Sequence, residues 1–405
     1  VPGCADMTSH AFLDLPDSVA PDYQGGSLLN LMASIGRRFG AATAGQPPVL
    51  TDDAALGIDQ ARVVVFLLID GLGACDVARR GAASFLARHQ LATLTSVFPS
   101  TTASAVTTSL TGLAPAAHGL TGWHIRDPRF GGIFAPLPMQ RRDREPMTGW
   151  WRIPRLFPYP SLFQRLRCRS AMISPTHILG SPFNMRHSRG VARRYPTTDL
   201  ASLEEALVCA VKDLGGPGGF VYAYHPDYDA LAHQFGVASA QCTAHFMALD
   251  ALLERVHRQL AGQDALLLVT ADHGFIDAPV DKQIRLDQHP EVYDCLAGPL
   301  WGERRVAYCR IAPGAGARFE AAARPLLKDR VDIVPSQALI DAGLFGPAVK
   351  PNRRLRERVG DYTLIGRTGW TVFDVLPQER EATMIGVHAG ISADEMLIPL
   401  AAIQC

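Results

Sequence analysis

Three aspartates and three histidines stand where an α/β chain can turn side chains into a common site. Asp70 ends the apolar run Val63 to Ile69 and is followed by Gly71-Leu72-Gly73. Ligands of open α/β sheets sit at the carboxyl ends of strands, although an Asp there also starts a turn or caps a helix. Asp272 and His273 repeat the situation after Ala265 to Thr270, and Gly274 lets the backbone turn sharply enough for neighbouring side chains to share an ion. Asp229 and His233 are four apart, so on a helix both leave one face and can grip one metal; a surface hydrogen bond is the bland alternative. Asp227, six residues from His233, points elsewhere. His388, in Gly386-Val387-His388-Ala389-Gly390, reads as structural when taken alone.

Phe98 to Gly112 is unusually rich in hydroxyls. A Ser or Thr that opens a helix lies beside free N–H groups and the positive end of the dipole, where a phosphate is also stabilised. The plain alternative is that Ser100 or Thr101 is an N-cap. Taken together, the three Asp and three His suit two divalent ions of the zinc type. Two metals beside one hydroxyl imply phosphoryl transfer.

The elements that must position these residues follow from pattern. Short apolar runs at Val63 to Asp70, Ala171 to Pro175, Phe220 to His225, Ala265 to Asp272 and Arg305 to Ile311 read as strands. Leu203 to Leu214, Ala238 to Leu260 and Ala317 to Leu327 carry apolar residues at three-and-four spacing and read as helices. The alternation predicts an α/β fold with a mainly parallel central sheet and helices on both faces. Periodicity is lost from Ile125 to Tyr195, where Pro, Arg and aromatics crowd together. That stretch predicts an irregular inserted lobe that sets substrate specificity, within a single catalytic domain over residues 1–405. Gln283 to Glu303 is a second irregular stretch, Pro351 to Gly366 is basic and turn-rich, and Ala389 to Glu395 reads as a turn feeding a last strand.

Composition narrows the possibilities. The 405 residues hold 39 Lys plus Arg and 39 Asp plus Glu, so no bulk charge draws the chain to nucleic acid or anionic membrane. Arg141-Arg142, Arg193-Arg194 and Arg353-Arg354 are isolated pairs, either solvated surface or local attraction for an anionic substrate. At 47% hydrophobic and 19% charged the chain is an ordinary globular protein. Val63 to Ile69 is far shorter than the roughly 20 residues of a spanning helix. Val1 to Asp6 shows no signal peptide, and eight cysteines without a C-x-x-C pair read as mostly buried thiols, with Cys209 and Cys309 in apolar segments. The expected compartment is the cytoplasm.

In this order the motifs resemble the alkaline phosphatase superfamily, and within it the type I phosphodiesterase/nucleotide pyrophosphatase family. The resemblance rests on Leu67-Leu68-Ile69-Asp70-Gly71, on Pro99-Ser100-Thr101-Thr102 with Thr111-Gly112-Leu113 and His118-Gly119, on Asp229-x-x-x-His233-x-x-Gly236, on Thr270 to Gly274 and on Gly386-x-His388-x-Gly390. It implies a phosphoric ester hydrolase with two zinc ions and a small phosphate ester or nucleotide as substrate. The family's nucleophile is a Thr three residues after a Pro and ten before the Gly of a Thr-Gly pair. Both counts land on Thr102, with Thr101 as the fallback. One zinc would be held by Asp229, His233 and His388, the other by Asp70, Asp272, His273 and the Thr102 oxygen. Asp227, Cys75 and His225 receive no role. The resemblance further implies a two-step in-line displacement through a phosphothreonine, with retention at phosphorus.

One position departs from the pattern. The Asn that commonly binds a phosphate oxygen about twenty residues beyond the nucleophile is replaced by Trp123, followed by His124. These two become candidate substrate contacts, Trp123 by stacking or by lining an apolar pocket. Three alternatives compete: a sulfatase, which would need an Arg after the nucleophile that is missing here; a phosphomonoesterase or phosphotransferase on the same bimetal site; and a catalytically silent binding module, which would lack a ligand. No ligand is missing.

Overall fold

A strand covered on both faces has no polar side to show, so the most continuously apolar runs belong at the centre of the sheet. The computed structural model describes residues 18–41, 47–81, 83–379 and 383–405. Its central sheet has seven strands: β1 (Val63–Ile69), β2 (Gln90–Thr95), β3 (Ser170–Pro175), β4 (Arg193–Thr197), β5 (Gly219–His225), β6 (Ala265–Thr270) and β7 (Leu397–Gln404). The order is β2-β7-β6-β1-β5-β3-β4, and β7 alone runs against its neighbours. Every residue of β1, β5 and β6 is buried. Truncating Leu67 to Ala there would leave a cavity costing about 2–5 kcal/mol.

Helices flank the sheet, Leu200–Leu214 packing with Ala240–Gln259 and Leu28–Arg38 with Thr102–Thr111. The fold is the mainly parallel α/β architecture that the sequence pattern predicts. Register decides the site. Ile69 pairs with His225 and Leu68 with Thr270, so the chain leaves three adjacent strands at one level.

Between β6 and β7 the chain builds a second lobe, 278–385, that enters and leaves through a two-stranded stem, Ile276–Asp277 against Gly386–Val387. Within it Trp301–Gly302, Val306–Cys309, Tyr362–Gly366 and Val331–Pro335 form an antiparallel sheet in that order. Helix Gly316–Leu327 buries Phe319, Ala323 and Leu327 in this lobe's own core. The strand expected from Arg305 to Ile311 thus belongs to the lobe and not to the parallel sheet. Its four apolar residues satisfy either setting, and only the pairing partner separates them. The stretch Gln283 to Glu303, expected to be irregular, carries the lobe strands Gln283–Arg285 and Trp301–Gly302, and the turn-rich Pro351 to Gly366 carries Tyr362–Gly366.

Residues 125–195 divide. Ile125–Asp127, Gly132–Ala135 and Gln140–Arg141 form a small antiparallel sheet, whereas β3 and β4 lie in the central sheet. The irregular part therefore ends before Ser170. Arg-rich β4 masked its own strand character because it is an edge strand with exposed arginines.

A buried ion pair locks the lobe to the last turn. Arg305 Nε and Nη2 donate to Glu395 Oε1 and Oε2 at 2.9 and 2.8 Å, and Glu395 also accepts from Gly390 N and the Ser392 hydroxyl. Of the seven described cysteines, Cys75, Cys242, Cys295 and Cys309 are buried, whereas Cys209 is exposed on its helix, against expectation. Cys4 and the Val1 to Asp6 segment lie outside the described residues. No described helix is long and apolar enough to cross a membrane.

Candidate metal centre and its cavity

The level strand ends deliver their acids to one point. Asp70 follows β1, Asp272 and His273 follow β6, and Asp229 and His233 lie one turn apart on helix Asp227–Phe235 after β5. Gly71 has φ +78°, and a Cβ there would meet the Phe275 ring at 2.5 Å, so the turn after Asp70 admits only glycine. Gly274 serves differently from the sharp turn expected of it. Its φ is ordinary, but a side chain would strike Asp394 O at 2.0 Å, so glycine permits close backbone approach.

Thr102 is the first residue of the nearly fully buried helix Thr102–Thr111. The hydroxyls that crowd this helix are satisfied internally: Thr107 donates to Ala103 O, Thr111 to Thr107 O, and Ser104 to Leu120 O. Thr101 occupies the N-cap position but its hydroxyl does not cap. It donates to Glu303 Oε1 at 2.5 Å, and Ser100 donates to Gly390 O. The N-cap alternative is therefore not realised through either side chain. Thr102 Oγ1 faces the acids, 3.2 Å from His273 Nε2.

Each histidine uses Nδ1 on a backbone carbonyl, His233 on Gly386, His273 on Gly274 and His388 on Ser100, at 2.9, 3.1 and 3.3 Å. That contact assigns the proton to Nδ1 and leaves Nε2 as a lone pair turned into the site. His233 and His388 present Nε2 to Asp229 Oδ1 at 3.5 and 3.8 Å, and His273 to Asp70 and Asp272 at 3.5 and 3.3 Å. Tyr224 donates to Asp70 Oδ2, while Gly71 N and His273 N donate to Asp272 Oδ1. The opposite oxygens, Asp70 Oδ1 and Asp272 Oδ2, and also Asp229 Oδ1, are buried with no hydrogen-bond partner.

Electrostatics match that geometry. Burial first, then the Asp272 charge, holds Asp70 far above the usual carboxylate range, and burial lifts Asp272 to about 7 and Asp229 well upward. Burial pushes His273 down to about 3, His233 to about 4 and His388 well below its ordinary value. Three acids that resist ionising beside three neutral imidazoles form a site short of positive charge. Orphaned carboxylate oxygens and inward lone pairs fit divalent cations of the zinc type. Two ligand groupings emerge, Asp70 with Asp272 and His273, and Asp229 with His273 and His388. His273 thus reaches both, and His233 joins the second through Asp229.

Over this floor lies a cavity of about 540 Å³, walled by Trp123 and His124, by Arg141, Arg142 and Arg144 of the 125–195 stretch, and by lobe residues including Glu303 and Arg304. His124 pairs its backbone with Gly302 of the lobe, and burial lowers its ring to about 4. Trp123 is 38% exposed. Glu303 escaped the sequence reading because Gly302-Glu303-Arg304 has no motif; it accepts from Thr101 and from Trp123 N at 2.7 Å, and burial lifts it to about 7. Asp227 and His225 stay outside this floor, grouped with His245.

The pattern described as "Type I phosphodiesterase / nucleotide pyrophosphatase" matches residues 64–389. The chain belongs to the type I phosphodiesterase/nucleotide pyrophosphatase family. Its members are hydrolases of phosphoester bonds that work with two metal ions, and this chain is one of these enzymes. No curated protein sequence matches it significantly. Among solved structures, murine ectonucleotide pyrophosphatase/phosphodiesterase 5, as an inactive variant in complex with AMP, superposes with a TM-score of 0.61 at 16% identity, covering 84% of this chain and 87% of that one. The human counterpart gives 0.61 at 17% identity, covering 84% and 87%. Phosphonoacetate hydrolase from Sinorhizobium meliloti, in complex with phosphonoformate, gives 0.61 at 16% identity, covering 85% and 91%. These structures share the fold with the chain.

Proposed function

We propose that the protein hydrolyses phosphoric diesters or nucleotide pyrophosphate bonds with Thr102 as nucleophile and two zinc ions as cofactors. The observation that carries this reading is the convergence of three inward Nε2 lone pairs and three orphaned carboxylate oxygens around Thr102 Oγ1. Asp229, His233 and His388 would hold one ion, and Asp70, Asp272, His273 and the Thr102 oxygen the other. Bound there, such ions supply Lewis acidity that stabilises charge on entering and leaving oxygens.

The chain's own groups do the rest. Thr102 sits at a helix N-terminus, where the dipole favours an approaching phosphoryl group. Its Oγ1 forms a bond to phosphorus as the bond to the leaving oxygen breaks, and water then cleaves the phosphothreonine; two inversions give retention. Thr101 is held away from this line by its hydrogen bond to Glu303. Trp123 offers a stacking face for a base and the neutral His124 ring a hydrogen bond, while Arg141 and Arg144 draw an anionic substrate into the cavity. Glu303 in the same wall, ionised above about pH 7, there repels the second charge of a monoester, which favours diesters.

The test is hydrolysis of bis-p-nitrophenyl phosphate and p-nitrophenyl phosphate by zinc-loaded protein beside Thr102→Ala and Thr101→Ala. We expect faster diester cleavage, lost only in Thr102→Ala. A faster monoester changes the substrate class, and full activity in Thr102→Ala removes the nucleophile.

A further inference from the structure

A second cavity, of about 860 Å³, opens beyond the far end of helix Thr102–Thr111 and shares no wall residue with the first. Arg129, Arg155, Arg165, Arg353, Arg354 and Arg358 line it together with Lys350, and among the described residues no carboxylate does. In a chain with as many acids as bases, this is a marked local excess of positive charge.

Part of that charge is neutralised behind the wall. Asp127 accepts from the Arg129 backbone N, Nε and Nη2 and lies 3.6 Å from Arg358, and Glu357 pairs with Arg354. Arg165 donates to Thr111 O and so covers the helix C-terminus. Two acids against seven cations leave a clear surplus. Arg358 is 1% exposed, and its Nε, like Arg165 Nε and Tyr159 Oη, is a buried donor with no partner. Burial pushes both guanidiniums downward, the mark of charge held without full compensation. Between the cations, Leu113, Leu156, Tyr159 and the Pro158 and Pro160 rings supply apolar surface.

We propose that this cavity is a second binding site, separate from the metal centre, for a small organic molecule that bears two or more phosphoryl groups. One concave pocket is the footprint of a small ligand, whereas a nucleic-acid strand needs a continuous basic stripe. Guanidiniums pair with phosphoryl oxygens through parallel N–H donors, and the apolar strip accommodates the organic body.

Binding of ATP, followed by titration calorimetry, tests the assignment on zinc-loaded Thr102→Ala protein, which keeps the nucleotide intact. The double variant Lys350→Ala/Arg353→Ala alters two exposed wall residues and should weaken one ATP site at least tenfold, each charged contact carrying roughly a factor of ten. Trp123→Ala, in the other cavity, should leave that site unchanged, and neutral adenosine should not fill it. With Thr102 restored, the double variant should cleave bis-p-nitrophenyl phosphate at the parent rate when ATP is absent. ATP binding indifferent to Lys350→Ala/Arg353→Ala, binding wholly lost in Trp123→Ala, or adenosine binding as tightly as ATP would overturn the proposal.

Discussion

The floor and the wall of the first cavity are built on opposite principles. Its floor takes Asp70, Asp272 and His273 from the ends of parallel strands buried at every position, and Asp229 from the helix that follows β5. Its wall takes Trp123, Arg142, Glu303 and Arg304 from connections and from the lobe 278–385. The floor leaves one buried oxygen of each aspartate without a partner, whereas the wall supplies partners, Arg142 bonding Asp374 and Glu379, and Glu303 accepting from Thr101 and Trp123. Withheld partners create an appetite for cations; satisfied ones create a shape. On the proposed function, chemistry and selectivity rest on separate parts of the chain, and substitutions should separate them.

The largest effect is expected on the floor. Thr102→Ala should lower kcat by at least about 10³-fold with the fold intact, measured on the diester, because it removes the hydroxyl 3.2 Å from His273 Nε2 to which the proposal gives the nucleophile's role. Next comes the joint between the two parts. Arg305→Ala leaves the buried Glu395 without its counter-charge and should cost about 3–5 kcal/mol in denaturant unfolding, and it should loosen the turn that carries His388.

Glu303 gives a smaller effect with a defined pH window. Its folded pKa is raised from 4.5 to about 7, so its contribution to stability is complete below pH 4.5 and is lost as pH rises through about 7. Part of its surface faces the cavity, which limits the loss to about 1 kcal/mol. In chelator-stripped protein Asp70, Asp229 and Asp272 add declines of the same sign, so Glu303→Gln should make the total loss between pH 5 and pH 8 smaller by about this amount, read from melting curves at the two pH values. An identical decline in the variant would place its origin elsewhere. Smallest is the rim: Arg144→Ala should raise KM for an anionic diester by about two- to fivefold with kcat unchanged, since an exposed charge acts by weak attraction.

The same division explains what the sequence makes legible. Val63 to Ile69 and Ala265 to Thr270 announce central strands because each side chain must be apolar there, and Asp229 with His233 announces itself by helical spacing. Val306–Cys309 carries the same apolar signal, yet nothing local states that Tyr362–Gly366 is its partner. Trp123 and His124 stand out only as a departure from a pattern. Glu303 has no local signal, since its meaning arises from Thr101, 202 residues away. Arg353-Arg354 is equally silent as a pair; its company in the second cavity comes from Arg129, Arg155 and Arg165, brought there by the fold.

The most direct test of the central claim is the metal content of protein dialysed against zinc and then freed of excess, measured for the parent and for single ligand variants. The account predicts two ions per chain, one remaining after Asp229→Ala or His233→Ala, and one remaining after Asp272→Ala, with diester hydrolysis lost in each. Zinc content unchanged by these substitutions, or full hydrolysis by metal-free protein, would contradict it.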